Sequence, residues 1–242
     1  MKTVIHRCLV LLLVTLGLVL GGCDSPQTGS LNPNQPSPTA TVSAPASATT
    51  PPVTNLARLE GKATVELIVN GGAIRIELDG TNAPITAGNF VDLVKRGVYD
   101  QSIFHRVVKE PEPFVVQGGD PQSKDPNVPK AYWGTGNFVD PATNKPRYIP
   151  LEIKPKGASE PLYSRTFKTA NISQPPQLRH TRGAVAMARS EMPDSASAQF
   201  YFALTELPFL DGSYAVFGYV TQGMEVVDKI QQGDRLESAK VL

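Results

Sequence analysis

The sequence predicts a mainly β fold, a barrel or sandwich whose ends are covered by two helices, preceded by a leader and a long polar tether. Three observations carry that expectation. Short apolar and alternating runs recur from residue 63 to the end; only two segments change to a helical period; and the first 57 residues differ in composition from everything after them.

The chain starts with a short basic stretch, Lys2, His6 and Arg7, followed by an apolar run from 8 to 20 broken only by Thr15 and Gly17. About 20 apolar residues are needed to span a bilayer, so this run is read as a signal-peptide core within 1–22. It ends in Leu20-Gly21-Gly22-Cys23, which resembles the lipobox of bacterial lipoproteins. The resemblance implies cleavage before Cys23 and a lipid on its sulfur. The alternative is a plain secretory signal with an incidental cysteine. Each buried methylene contributes about 0.8 kcal/mol, so two or more acyl chains anchor a protein durably. The domain is then expected on the extracytoplasmic, periplasmic side of a bacterial membrane, held through the lipid alone.

Residues 23–57 hold the lipidated cysteine and a stretch of Ser, Thr, Ala and Gln with prolines at 26, 33, 36, 38, 45, 51 and 52. Such a composition buries too little apolar surface to offset its conformational entropy, so disorder is expected. As a coil of about 30 residues it would reach on the order of 30 Å. Without Lys2 and Arg7 the 23 basic and 22 acidic residues become 21 and 22, a charge near minus one. Nothing in that balance points to nucleic acid. The second cysteine, Cys8, leaves with the signal, so the exported domain is expected to fold without disulfides.

The folded domain is placed at 58–242. Segments 63–69 (ATVELIV) and 73–79 (AIRIELD) alternate in polarity around Asn70-Gly71-Gly72, a hairpin signature. Segment 84–96 (PITAGNFVDLVKR) has a helical period, with Pro84 suited to the first turn and Lys95-Arg96-Gly97 to the last. Strand-like runs follow at 103–108, 114–118, 183–188, 199–205 and 214–220, then a short helix at 223–230 and a final strand ending at 242. Between 121 and 182 the pattern dissolves into prolines, glycines and charges. A structureless loop of that length is uncommon, so a packed insertion with some strand content is expected, for example at 147–153 (RYIPLEI).

Several chemistries lack their residues. His105 and His180 are the only histidines after the leader and no thiol remains, which argues against a zinc site. There is no G-x-S-x-G elbow and no glycine-rich phosphate loop with its lysine.

The motifs FHRVV, FVVQGGD, GAVAMAR (183–189), SAQFYF (197–202) and FLDGSYAVFG (209–218), with the helix NFVDLVKRGVYD (89–100), stand in one order. Together they resemble the cyclophilin-type peptidyl-prolyl cis-trans isomerases over most of 62–232. The resemblance implies an eight-stranded antiparallel β-barrel capped by two helices, rotation about X-Pro bonds in exported proteins, and proline-containing polypeptides as substrates. It implies no cofactor and no metal, and a monomer is expected. Arg106 matches the catalytic arginine, Gln117 the glutamine that orients it, and Phe114 the proline-pocket phenylalanine. Val115 stands where a methionine is frequent. Arg189 replaces an asparagine whose backbone carbonyl holds substrate, and Gln199 matches the site glutamine. Tyr201 replaces a pocket phenylalanine, and Leu210 matches the pocket leucine. Phe209 stands where cyclosporin-sensitive members carry tryptophan, and Tyr214 replaces a common histidine. His105 is read as structural. On a strand, 199 and 201 share one face and 200 and 202 the other, so the latter pair is assigned to the core. Residues 109–113 lengthen the turn before Phe114. A non-catalytic peptide-binding scaffold of the same fold is the competing reading.

Overall fold

The structure, a computed structural model, describes residues 56–242. The expected signal segment, Cys23 of the lipobox-like tetrad and nearly all of the expected tether lie outside the described residues.

The first hairpin forms as its pattern demands. Strands β1 (Lys62–Val69) and β2 (Gly72–Asp79) pair in antiparallel register around Asn70 and Gly71, both at positive φ, the backbone of a type I′ turn. Val65, Leu67, Val69, Ile74, Ile76 and Leu78 are fully buried on one face. On the other, Lys62–Glu77 and Arg75–Glu66 pair across the strands at 2.6 and 3.0 Å. Helix α1 (Pro84–Lys95) follows with proline in its first turn. It packs against β2 and two later strands, and buries Ile85, Phe90, Leu93 and Val94.

The remaining long-range strands are β3 (Arg106–Val107), β4 (Val115–Gly118), β9 (Ala184–Met187), β10 (Phe200–Ala203), β11 (Val216–Gln222) and β12 (Leu236–Val241). The one-turn helix α2 (Met224–Val227) lies between the last two. All pairings are antiparallel, in the order β12-β1-β2-β11-β9-β10-β4-β3. The sheet curls until its edges meet just before β3 and β12. There Ile103 bridges Arg235, with Phe104 N donating to Asp234 O and Gly233 N to Phe104 O, both at 2.9 Å. The expected eight-stranded antiparallel barrel with two helices is therefore borne out. β3 is shorter than the 103–108 run because Ile103 and Phe104 are committed to this closure rather than to β4. β11 starts later than 214 because Tyr214 still belongs to a turn, its N–H donating to Leu210 O.

Phe90, Tyr99, Phe200, Phe202 and Phe217 fill the interior, with Phe200 edge-on to Phe90 at 5.2 Å and to Tyr99 at 5.3 Å. Each such side chain contributes roughly 1.5–3 kcal/mol by leaving water. The alternation of β10 places Tyr201 on the opposite face, where a second apolar cluster gathers Val115, Ala184, Ala186, Ala203, Leu207 and Val216.

The insertion is packed, as expected, but only part of 147–153 is strand. Pro150 has no N–H to give a ladder; Ile149 before it forms a single bridge with Ala196, and the strand pairing after it is that of β7 (Glu152–Ile153) with β8 (Leu162–Tyr163). A smaller pair, β5 (Val139–Asp140) and β6 (Lys145–Pro146), precedes it. Leu151, Ile153 and Phe167 build a small core with Ala215. The insertion also supplies a helix cap. Ala83 has no side chain to cap α1, and the buried Glu152 carboxylate instead accepts from Ile85 N at 3.1 Å, Thr86 N at 2.7 Å and Thr86 Oγ1 at 2.8 Å.

Candidate active site

The register of three neighbouring strands brings the proposed site together. Arg106 of β3 stands opposite Gln117 of β4, and Gln117 opposite Tyr201 of β10, so the three side chains form one row on the outer face of the sheet. Around that row is a cavity of about 270 Å³ lined by Arg106, Phe114, Val115, Gln117, Ala188, Arg189, Tyr201, Leu210 and Tyr214. Eight of the ten residues singled out for the site in the sequence line it. The missing two are Gln199 and Phe209, and sequence reasoning did not single out Ala188, which lies within the GAVAMAR motif beside Arg189.

Gln199 stands behind the cavity. Its Oε1 accepts from Gln117 Nε2 at 3.2 Å, and its own Nε2 donates to the carbonyls of Gly134 and Gly136, each at 3.0 Å. Both glycines belong to the insertion, and the buried Asp120 carboxylate holds their N–H groups from the other side. Gln117 Oε1 in turn accepts from Arg106 Nη1 at 3.4 Å, close to the limit of a hydrogen bond. Phe209 lies at the rim, 68% exposed, stacked on Phe114 with ring centroids 6.0 Å apart.

Arg106 is exposed and its guanidinium lies 5.3 Å from the Phe114 ring centre. Among the described residues no carboxylate forms an ion pair with it. Its charge is therefore available to a ligand. Arg189 is different: its guanidinium turns back to Ser213 O, Ser190 O and Glu191 O and lies 4.6 Å from the Tyr214 ring centre. Its side-chain donors are thus spent within the chain. The turn at 109–113 is closed by Phe114 N donating to Val108 O, and Lys109 reaches the carbonyls of Asp228 and Ile230 after α2. His105 does not line the cavity; its ring packs against Gly134, and burial lowers its pKa below the usual value.

The Tyr201 hydroxyl points out of the cavity to His180 Nε2 at 3.0 Å, and His180 Nδ1 lies 2.8 Å from Asp211 Oδ1. Burial raises the Tyr201 phenol above its usual range and lowers His180, the latter against the pull of Asp211. Among the described residues there is no cluster of ligating side chains for a metal ion, and no helix long and apolar enough to cross a membrane.

An arginine without a carboxylate partner beside a cavity walled by Phe114, Val115, Leu210 and two tyrosine rings, on the outside of a curled antiparallel sheet, is a class of site that offers one strong hydrogen-bond donor next to aromatic and aliphatic surface. Comparison with known proteins gives that class a family. The pattern of the cyclophilin type peptidyl-prolyl cis-trans isomerase/CLD family matches residues 64–242. The chain belongs to that family. A Synechocystis protein named for a thylakoid lumen peptidyl-prolyl cis-trans isomerase is 42% identical over 198 residues, 78% of this chain and 49% of that protein. A peptidyl-prolyl cis-trans isomerase of Acinetobacter baylyi is 36% identical over 171 residues, 69% of this chain and 70% of the relative. A solved cyclophilin type isomerase of Cryptosporidium parvum shares the fold at a TM-score of 0.55 and 24% identity, covering 75% of this chain and 98% of that one. The chain spans about half the length of some curated relatives it matches, 49% for the Synechocystis protein and 44% for a chloroplastic one of Arabidopsis thaliana.

Proposed function

We propose that the protein accelerates cis-trans rotation about X-Pro bonds, with Arg106 as the catalytic residue. The supporting observation is the Arg106 guanidinium, without a carboxylate partner among the described residues, at the edge of a cavity lined by Phe114, Val115, Leu210 and the Tyr201 and Tyr214 rings. Rotation about an X-Pro bond loses amide resonance, with a barrier of about 18–20 kcal/mol. In the twisted transition state the prolyl nitrogen becomes pyramidal and regains a lone pair. A donor to that nitrogen binds the transition state and not the planar ground state, which is the condition for acceleration. Guanidinium suits this, being always charged and able to fork to the neighbouring carbonyl. Gln117 and Gln199 limit its rotamers from behind. Phe114, Val115, Tyr201, Leu210 and Tyr214 hold the proline ring, Phe209 extends the apolar rim, and the Arg189 backbone carbonyl receives the peptide. No covalent step or cofactor enters.

The names of the Synechocystis and Arabidopsis relatives support an extracytoplasmic or lumenal setting. The substrates are accordingly proline-containing exported proteins, and the anchor is a lipid on Cys23.

The activity is tested by X-Pro exchange in short peptides with the full chain. Arg106→Ala is expected to lower kcat/KM by roughly ten- to a hundredfold, the equivalent of one charge-assisted hydrogen bond of about 1.5–3 kcal/mol. Equal rates for the two proteins would leave the non-catalytic scaffold. Cys23→Ala is expected to move the protein out of the membrane fraction; unchanged retention refutes the lipid anchor.

A further inference from the structure

Tyr201 puts a hydroxyl where an apolar wall is wanted, and the structure shows how that hydroxyl is handled. Asp211, in the turn that follows Pro208–Leu210, accepts from His180 N at 2.9 Å with the same Oδ1 that lies 2.8 Å from His180 Nδ1. A carboxylate only accepts, so the proton between Nδ1 and Asp211 sits on the ring nitrogen. The neutral imidazole then has a bare Nε2, and the Tyr201 hydroxyl 3.0 Å away must be the donor. His180 is 2% exposed and Tyr201 5%, and neither His180 nor Asp211 lines the cavity. A second contact ties the same pair to the opposite wall: Leu207 N donates to His180 O at 2.8 Å, fixing the turn that carries Leu210.

We propose that Asp211 and His180 act as a positioning pair, which draws the Tyr201 hydroxyl out of the proline pocket and leaves only the tyrosine ring as a dry, fixed wall. The identity of the pocket's occupant rests on the function proposed above; the geometry of the pair does not. A buried hydroxyl without a partner costs about 1–3 kcal/mol. Released from His180, Tyr201 would relieve that cost by turning towards the cavity or by drawing water there, and either outcome competes with a proline ring. His180 and Asp211 thus act on substrate only through Tyr201. The Tyr214 ring, edge-on to Tyr201 at 6.2 Å, restricts the wall from the other side.

The test uses the full chain and an Ala-Pro peptide, with binding measured separately from exchange. His180→Leu removes the acceptor and is expected to weaken peptide binding roughly tenfold, with a much smaller effect on the exchange rate of the bound peptide. Adding Tyr201→Phe to His180→Leu removes the hydroxyl that has lost its partner, and is expected to recover most of the lost affinity. His180→Gln, whose side-chain carbonyl can accept from the hydroxyl, is expected to keep most of it. Nitrogen-15 histidine spectra of the unsubstituted protein are expected to show His180 protonated on Nδ1 and bare on Nε2, with the Nε2 signal moving in Tyr201→Phe. A double variant that binds as weakly as His180→Leu overturns the proposal, as does a proton on Nε2 at neutral pH. Should His180→Leu fail to fold, the glutamine variant and the spectra decide the same question. Absence of X-Pro exchange in the unsubstituted protein would refute the proposed activity, while peptide binding and the spectra would still decide the role of the pair.

Discussion

Removing the Glu152 carboxylate should destabilise the domain without altering its site. The carboxylate reaches from the insertion to the start of α1 and accepts from Ile85 N, Thr86 N and Thr86 Oγ1. Glu152→Ala leaves these three donors buried without an acceptor. Each costs about 1–3 kcal/mol, and part is offset because a buried carboxylate no longer has to be desolvated. A net loss of about 3 kcal/mol is expected, lowering Tm by about 6–12 °C for a domain of this size. Glu152→Gln keeps one acceptor oxygen and the volume, so about 1 kcal/mol is expected. The two variants also carry a pH signature. Burial pushes the Glu152 carboxyl above its usual value, against the hydrogen bonds from Thr86 and Ile85. A raised carboxyl adds stability that is full below the unfolded pKa of 4.5 and declines as pH rises through the folded value. The gap between the unsubstituted protein and Glu152→Gln should therefore be wider at pH 4 than at pH 7. Denaturant titration at both pH values measures it. A loss under 1 kcal/mol for Glu152→Ala, or a gap that widens with pH, would refute the reasoning. Peptide exchange per folded molecule should be unchanged, since Glu152 lines no part of the cavity.

Two further outcomes follow from the same geometry. At Gly134, with φ at +87°, an added Cβ would come within 2.7 Å of His105 Cδ2. Gly134→Ala should displace the loop, take a carbonyl from Gln199 and lower kcat/KM several-fold by loosening Arg106, roughly 1 kcal/mol in the barrier; unchanged kinetics would disconnect the insertion from the site. His105 and His180 are both lowered from the usual 6.5, chiefly by burial, so their neutral forms favour the folded state. That contribution is present above 6.5 and lost as pH falls through the folded values, so Tm should fall between pH 7 and 5, and less so in a His105→Gln variant.

Much of the fold was legible because its signals are local. The Asn70-Gly71 turn, the two alternating strands beside it and the proline-first helix α1 each rest on residues within one element, and all three formed as read. The separation of Phe200 and Phe202 from Tyr201 needed only the twofold period of a strand. For the site, a row such as Arg106, Gln117 and Tyr201 follows once the strands pair in register, and the motifs named its members.

What the sequence could not supply is long-range hydrogen bonding, because a donor and an acceptor distant in the chain leave no spacing to read. Glu152 as the cap of α1, Gly134 and Gly136 as the support of Gln199, and the closure of the sheet at Ile103 and Arg235 are all of this kind. So is the fate of the Tyr201 hydroxyl. By itself the sequence determined, through its motifs, only that a tyrosine stands where the family resemblance implies a pocket phenylalanine. Only the tertiary structure decided that the partner is His180 outside the cavity, 3.0 Å away and held by Asp211, because folding brings 180, 201 and 211 together from three separate segments.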